Sequence, residues 1–289
     1  MSRIAFVTYR DRPTITSDDQ FVATELHQQG VVVIGAAWDD PAVDWKSFDL
    51  LVIRSTWNYH LQPEAFAQWL GHRENEGCHI LNPPAVVRWN MHKSYLSDLQ
   101  KKGVAVPETI WLSRHHHHTP ESLSTLLQAS GWARIVVKPA VSATAFKTLL
   151  INAPFSSSTL TDICALAQER DLLLQEFLPE IQSDGEWSII FFNKEFSHAV
   201  RKQPRAGDFR VQNDFGGSAQ SQIPPPPIIQ QSASILQEIT EPLLYARVDG
   251  VVRNGKFILM ELELIEPALF FSQQPERARL LAIEIMRHL

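Results

Sequence analysis

The chain has 289 residues, about twice the usual domain size, so two domains or lobes are expected. Hydrophobic residues make up 44%, enough for a buried core, and a formal net charge of −6 speaks against a general nucleic-acid binder. Two cysteines, Cys78 and Cys164, exclude a disulfide scaffold, and no apolar run approaches the ~18 residues that span a bilayer. Residues 1–7 turn strand-like too early for a secretory signal, so a cytoplasmic location is expected, with neither membrane nor nucleic acid as a partner.

The first ninety residues alternate strand and helix. Residues 4–8 form a short β-branched run. Ser17 and Gln20 have capping-box spacing before a helix with Val22 and Leu26 on one face, and Gly30 stops it. Residues 31–37 and 49–53 read as buried strands, and behind Pro63 the residues Phe66, Trp69 and Leu70 keep helical spacing. Strands separated by helices imply a parallel sheet, whose ligands sit beyond the carboxyl ends of the strands. Arg54, Trp57 and Tyr59 follow the third strand at that edge. The arginine fork suits a substrate carboxylate and the aromatics suit a small aliphatic body, while packing between lobes is the competing reading for the aromatics.

A second unit begins near residue 90. A helix over 93–102 ends at Gly103, and strands follow at 109–112, 134–138, 148–152 and 171–176, with a helix around 160–170. A hairpin joins strands at 186–192 and 195–200. Residues 203–222 read as a polar loop, and 224–227 as a stiff polyproline spacer before a helix over 229–245. Strands at 247–253 and 256–264 and a helix over 275–289 close the chain.

The closing strands carry the densest chemistry. A turn at Arg253-Asn254-Gly255 makes them an antiparallel hairpin. Glu261 and Glu263 then share a face by the period of two, and Asp249 can lie across from them. Three carboxylates on one face repel without a cation, and hard oxygen ligands suit Mg²⁺ or Mn²⁺; a solvated polar face is the alternative. On that view Glu261→Gln relieves repulsion and leaves the metal-free fold no less stable.

Lys138 ends a buried strand, where its ammonium needs an anion such as phosphate or must snorkel to water. Lys93 falls at a helix start, which favours a bound anion, although a lone lysine there is usually at the surface. Glu176, Phe177 and Leu178 leave a buried strand toward Pro179 as a hinge or a plain strand end. Arg201, Lys202, Arg205 and Arg210 fall within ten residues, followed by Gly216-Gly217. Such a set suits phosphate or carboxylate recognition, while for Arg205 a solvated loop is the preferred reading. His115–His118 lie in a loop away from the carboxylates, and consecutive residues rarely converge on one ion. There is no Walker loop, no Gly-x-Gly-x-x-Gly and no Ser/His/Asp set.

Taken in order, Lys93, Lys138, Gln175-Glu176-Phe177-Leu178, Glu186, Arg210 and the Asp249/Glu261/Glu263 set resemble the ATP-grasp superfamily over essentially the whole chain. The closer similarity is to its glutathione-synthetase-like branch and, there, to the D-cycloserine-forming ligases and their relatives. Residues 54–59, Asn82-Pro83, Arg88-Trp89-Asn90, 138–143, 207–211 and 261–263 carry it. The resemblance implies an α/β and α+β architecture: an N-terminal parallel-sheet domain over 1–90 and an ATP-grasp domain over 91–289, with a lid lobe around 105–177 and a metal-binding lobe around 178–289. It implies that Lys93 and Lys138 touch the ATP phosphates, that the hinge of Glu176, Phe177 and Leu178 offers the Glu176 and Leu178 backbone to adenine, and that Glu186 meets the ribose. Arg210 and Lys202 are the implied catalytic cations, and Asp249, Glu261 and Glu263 the implied ligands of two Mg²⁺ ions. The implied activity is an ATP- and Mg²⁺-dependent carboxylate–amine ligase acting through an acyl phosphate on a small amino-acid-like substrate, as a homodimer. Two departures stand out. The loop 140–145 lacks the glycines of most phosphate lids, which is the motive for an alternative, a non-catalytic ATP-binding module. Glu263 stands where many relatives have Asn.

Overall fold

Three sheets built on local sequence patterns make up the molecule, a computed structural model that describes residues 1–289 apart from 206, 207, 209 and 212–215. Gly207 and Phe209 of the 207–211 motif therefore lie outside the described residues. At the N-terminal end, β1 (Arg3–Thr8), α1 (Gln20–Gln28), β2 (Val32–Ala37), β3 (Leu50–Ile53), α2 (Pro63–Asn75) and β4 (Ile80–Leu81) give a parallel sheet of order β2-β1-β3-β4. The expected apolar faces are the buried ones, Val22 and Leu26 on α1 and Phe66, Trp69 and Leu70 on α2. The expected capping box does not form. Asp19, not Ser17, stands at the N-cap of α1, and its carboxylate accepts from Arg54 Nε at 2.9 Å instead of capping the helix.

α3 (Pro84–Met91) and α4 (Tyr95–Lys101) lead into the rest of the chain, with Lys93 in the break between them rather than inside a helix. Next come β5 (Thr109–Leu112), α5 (Pro120–Ser130), β6 (Arg134–Pro139), β7 (Leu149–Asn152), α6 (Ser157–Glu169) and β8 (Leu172–Glu176). Their sheet has the order β5-β8-β6-β7, and Leu123, Leu127, Ile163 and Ala167 of the two helices pack on it. α5 was not expected, although Thr119 and Ser122 form a reciprocal capping box and Pro120 opens the helix. The histidines just upstream drew the segment toward a loop.

The third sheet holds β9 (Glu186–Phe192) after the short α7 (Glu180–Ser183), then β10 (Glu195–Gln203), β11 (Ser218–Ser221), β12 (Tyr245–Arg253) and β13 (Lys256–Glu263). Its order is β11-β10-β9-β12-β13, all neighbours antiparallel. α8 (Pro226–Gln237) stops eight residues before its expected end, because Pro242 cannot continue a helix, and Tyr245 opens β12 instead. α9 (Ala278–Met286) closes the chain and packs with α1. The β12–β13 turn is the expected one, with Asn254 and Gly255 both left-handed (φ 53° and 74°). A bulge between Asp249 and Gly250 breaks this pairing. Gly250 is obligatory there, since a Cβ would stand 2.3 Å from the Ile258 carbonyl oxygen. No described helix is long and apolar enough to cross a membrane.

Arg54 corrects a substrate expectation. It is 2% exposed, does not line the cavity described below, and ties the N-terminal unit to the last sheet. It pairs with Asp19, donates to the Pro267 carbonyl at 2.9 Å and lies 5.0 Å over the Tyr245 ring. Replacing Arg54 by Met would strand the buried Asp19 carboxylate, a loss of about 3–5 kcal/mol. Denaturant unfolding should show that loss, while the KM for ATP of the folded fraction should stay unchanged.

Candidate active site

The pairing register of the third sheet sets a row of charges on one face. Lys202 on β10 lies opposite Glu186 on β9. Asp249 on β12 lies between Ser188 on β9 and Glu261 on β13, and Arg247 lies opposite Glu263. Side chains two apart share a face, so Arg247 and Asp249 point with Glu261 and Glu263 into one cavity of about 630 Å³. The second sheet supplies the facing wall with Val136, Lys138, Gln175 and Glu176, and the loops after β1 and β3 close the far end with Tyr9, Arg12, Trp57 and Tyr59.

Of the residues assigned to the site from the sequence, all but Arg54 and Phe177 line this cavity, while Arg201, Arg205 and His115–His118 do not. Phe177 does not line the cavity; its ring lies 4.0 Å under the Arg134 guanidinium, while its neighbours Glu176 and Leu178 line it. Lys93 is buried and donates to Glu261 Oε1 at 2.7 Å and to the Ser142 carbonyl at 3.0 Å. Lys202 pairs with Glu186 and lies 3.4 Å from Asp249 Oδ2. Arg210 forks onto its neighbour Asp208 at 3.1 and 2.8 Å. Ser142, at the cavity wall, donates its hydroxyl to the Pro139 carbonyl.

Burial and mutual repulsion shape the ionisation of these groups. Desolvation pushes Glu263 up to about 7, with Asp249 and Glu261 adding to it and Arg247 opposing. Asp249 is buried too, yet Arg247 and Lys202 overcome that cost and bring it to about 2. For Glu261 desolvation is the largest effect, but Lys93 and Lys138 outweigh it and its carboxyl falls below the usual range. Burial lowers Lys138 to about 8 against the pull of Glu261.

Arg247 and Glu266 are charged cavity residues that escaped the sequence reading. Arg247 contacts both Asp249 (2.8 Å) and Glu263, and a cation two residues before an acid in an apolar strand was a signal of the kind that singled out Lys138. Glu266 follows β13 and has no local pattern to mark it. The histidines His115–His118 stay in the loop before α5, where His118 Nε2 donates to the Ser113 carbonyl at 2.9 Å.

The donor chemistry of Asp249, Glu261 and Glu263 suits a hard divalent cation, and the raised Glu263 reflects its burial beside the other two carboxylates. As the side chains stand, each carboxylate is engaged by a cation, and no group of three or more His, Cys, Asp or Glu among the described residues is gathered closely enough to hold an ion.

Residues 4–82 match the family model described as the N-terminal domain of D-cycloserine synthetase DcsG. The cycloserine biosynthesis protein DcsG of Streptomyces lavendulae is 25% identical over 253 residues, 83% of each chain. The crystal structure of D-cycloserine synthetase DcsG superposes with a TM-score of 0.88 at 23% identity, covering 100% of both chains. D-alanine–D-alanine ligase from Bacillus anthracis complexed with ATP superposes with a TM-score of 0.70 at 15% identity, over 100% of this chain and 97% of that one. The chain has the ATP-grasp fold with an N-terminal parallel sheet, as its motifs implied, and its likeness to DcsG extends over its whole length.

The Lys93–Glu261 pair revises the expectation for Glu261→Gln. Losing that charge leaves the buried Lys93 facing Lys138 without its nearest anion. We expect the variant to lose about 1–3 kcal/mol, discounted because Glu261 is one-third exposed. The Lys93→Met/Glu261→Gln double variant should recover most of the loss in a thermal melt.

Proposed function

We propose that this protein of ATP-grasp fold is an ATP- and Mg²⁺-dependent carboxylate–amine ligase that activates a small amino-acid-like substrate as an acyl phosphate and releases ADP and phosphate. The observation that carries the reading is the cavity itself, where buried lysines and cross-strand carboxylates adjoin an apolar slot of Val136, Leu178, Ile181, Val211 and Met260. The slot suits a purine, with Gln175, Glu176 and Leu178 at its hinge. Glu186, steadied by Lys202, suits the ribose hydroxyls, and Lys93 and Lys138 suit phosphate oxygens. Asp249, Glu261 and Glu263 are the residues assigned to Mg²⁺, which when bound neutralises phosphate charge. Lys202 and Arg210 are assigned to the charge that develops on the transferred phosphoryl group.

The reaction needs no protein nucleophile. The substrate carboxylate oxygen attacks the γ-phosphorus, the bond to ADP breaks, and an amine then displaces phosphate from the acyl carbon. Trp57 and Tyr59, at the N-terminal end of the cavity, serve to keep water from the acyl phosphate. The likeness to a cycloserine synthetase and to a D-alanine–D-alanine ligase supports a small amino-acid-like substrate. A cytoplasmic homodimer with no membrane or nucleic-acid partner completes the reading.

Purified protein with ATP, Mg²⁺ and a panel of amino acids should release ADP and phosphate in a substrate-dependent way. AMP with pyrophosphate would contradict the mechanism, and ATP binding without turnover on any substrate would favour the non-catalytic module. Product mass separates ring closure, which loses water only, from ligation to a second molecule.

Lys138 adds a pH dependence. Its ammonium, held at about 8 by burial, is charged below that pH and lost above it, so the grip on phosphate weakens as pH rises through about 8. The KM for ATP should climb above that value, and Lys138→Arg, charged throughout, should flatten the rise. A KM that is constant from about pH 6.5 to 9.5 in the unmodified enzyme would separate Lys138 from the phosphates.

A further inference from the structure

Every other carboxylate in the charged row has a cation, but Glu266 has none. It is 8% exposed, lines the N-terminal end of the cavity, and forms no ion pair with any described residue. Lys93, the lysine whose charge bears on it, is already committed to Glu261 and the Ser142 carbonyl. Arg12, the cation that the N-terminal loops bring to the same end, is exposed and unpaired with it. Burial first, and then Glu263, push the Glu266 carboxyl up to about 8, although its own backbone N–H and the Lys93 charge act the other way.

Two aromatic residues, Trp57 and Tyr59, line the same cavity as this acid. The Trp57 indole N–H donates to the Glu266 backbone carbonyl at 3.3 Å, which fixes the ring beside it. The buried Tyr59 phenol is pushed well above its ordinary pKa by desolvation and, next, by Glu266. A buried carboxylate without a partner costs several kcal/mol, and a protein keeps one where a ligand supplies the opposite charge. One carboxylate in a cavity end lined by an indole and a phenol suits an organic ammonium better than a metal ion, which needs several oxygens.

We infer that Glu266 is the site for the ammonium group of the substrate, with Trp57 and Tyr59 covering the carbon skeleton between that ammonium and the carboxylate to be phosphorylated. The substrate class narrows to small acids that bear a primary ammonium. This rests on the ligase reading of the same cavity, and it takes over the substrate-holding role first expected of Arg54.

The test compares glycine, D- and L-alanine and D- and L-serine with acetate, propionate and 3-hydroxypropionate as activators of ADP release. In the unmodified enzyme an amino acid should exceed its des-amino counterpart in kcat/KM by about 10- to 100-fold. Glu266→Gln should raise the KM for the amino acid by the same factor, leave the KM for ATP unchanged and close the gap to the des-amino acid. An unchanged amino-acid KM in that variant, or des-amino acids that serve the unmodified enzyme equally well, would overturn the assignment while leaving the ligase reading intact. Absence of ADP release with every acid would instead count against the ligase reading for this substrate class. Stability decides the Glu266 assignment without turnover. The melting temperature of ligand-free Glu266→Gln should equal or exceed that of the unmodified protein, whereas a fall of several degrees would make Glu266 a structural residue and sink the inference.

Discussion

The outer edge of β13 has no strand beside it, and side chains take the place of one. Asn90 accepts from the Leu264 N–H and donates to the Leu262 carbonyl, while Tyr95 Oη accepts from the Leu262 N–H. Asn82 donates to the carbonyls of Leu264 and Tyr245 and accepts from Leu244 N–H. An unpaired backbone group buried away from water costs about 1–3 kcal/mol, so these three residues fix where β13 can lie. Glu261 and Glu263 sit on that strand. The position of the proposed metal ligands is thus set by helices and turns that precede them by about 170 residues in the chain.

Charge compensation is the second constraint, and it follows from the first. Once β13 is seated, the cavity gathers six carboxylates, Glu176, Glu186, Asp249, Glu261, Glu263 and Glu266, and six cations, Arg12, Lys93, Lys138, Lys202, Arg210 and Arg247, which are unevenly paired. Burial raises Glu263 and Glu266, and neighbouring carboxylates add to it, while Asp249, equally buried, has both Arg247 and Lys202 and is lowered. A magnesium ion and an ammonium would bring positive charge, and a nucleotide would draw on Lys93 and Lys138.

The loop after Lys138 shows how a glycine-poor lid is held. The Lys93 N–H donates to the Ala140 carbonyl at 2.8 Å and the Lys93 ammonium reaches the Ser142 carbonyl, so one residue grips the loop by two carbonyls. Farther on, Thr144, Ala145 and Lys147 take left-handed conformations (φ 50–54°) that cost about 1–2 kcal/mol each without glycine. Phe146 meets the His60 ring at 5.1 Å, which ties the loop to the N-terminal unit. Ser142, Ala143, Thr144 and Ala145 of this loop line the cavity.

Period and turn chemistry in the sequence alone determined the carboxylate face. Asp249 lies opposite Glu261, and Glu263 shares its side, because alternation along a strand and the Asn254-Gly255 turn are local properties. Lys138 and Glu186 were legible for the same reason, since a charge inside an apolar run stands out wherever the run folds. Arg54 was not. An arginine after a strand reads the same whether it faces a ligand or a neighbouring lobe, and its partners Asp19 and Pro267 are 35 and 213 residues away. Phe177 and Glu266 depended on the same missing knowledge, namely which elements pack on either side of a strand end. Tertiary structure alone decided which acids received a cation. That outcome rests on distances between chain segments remote in sequence, and electrostatic compensation in a buried site is settled by those distances and not by residue type.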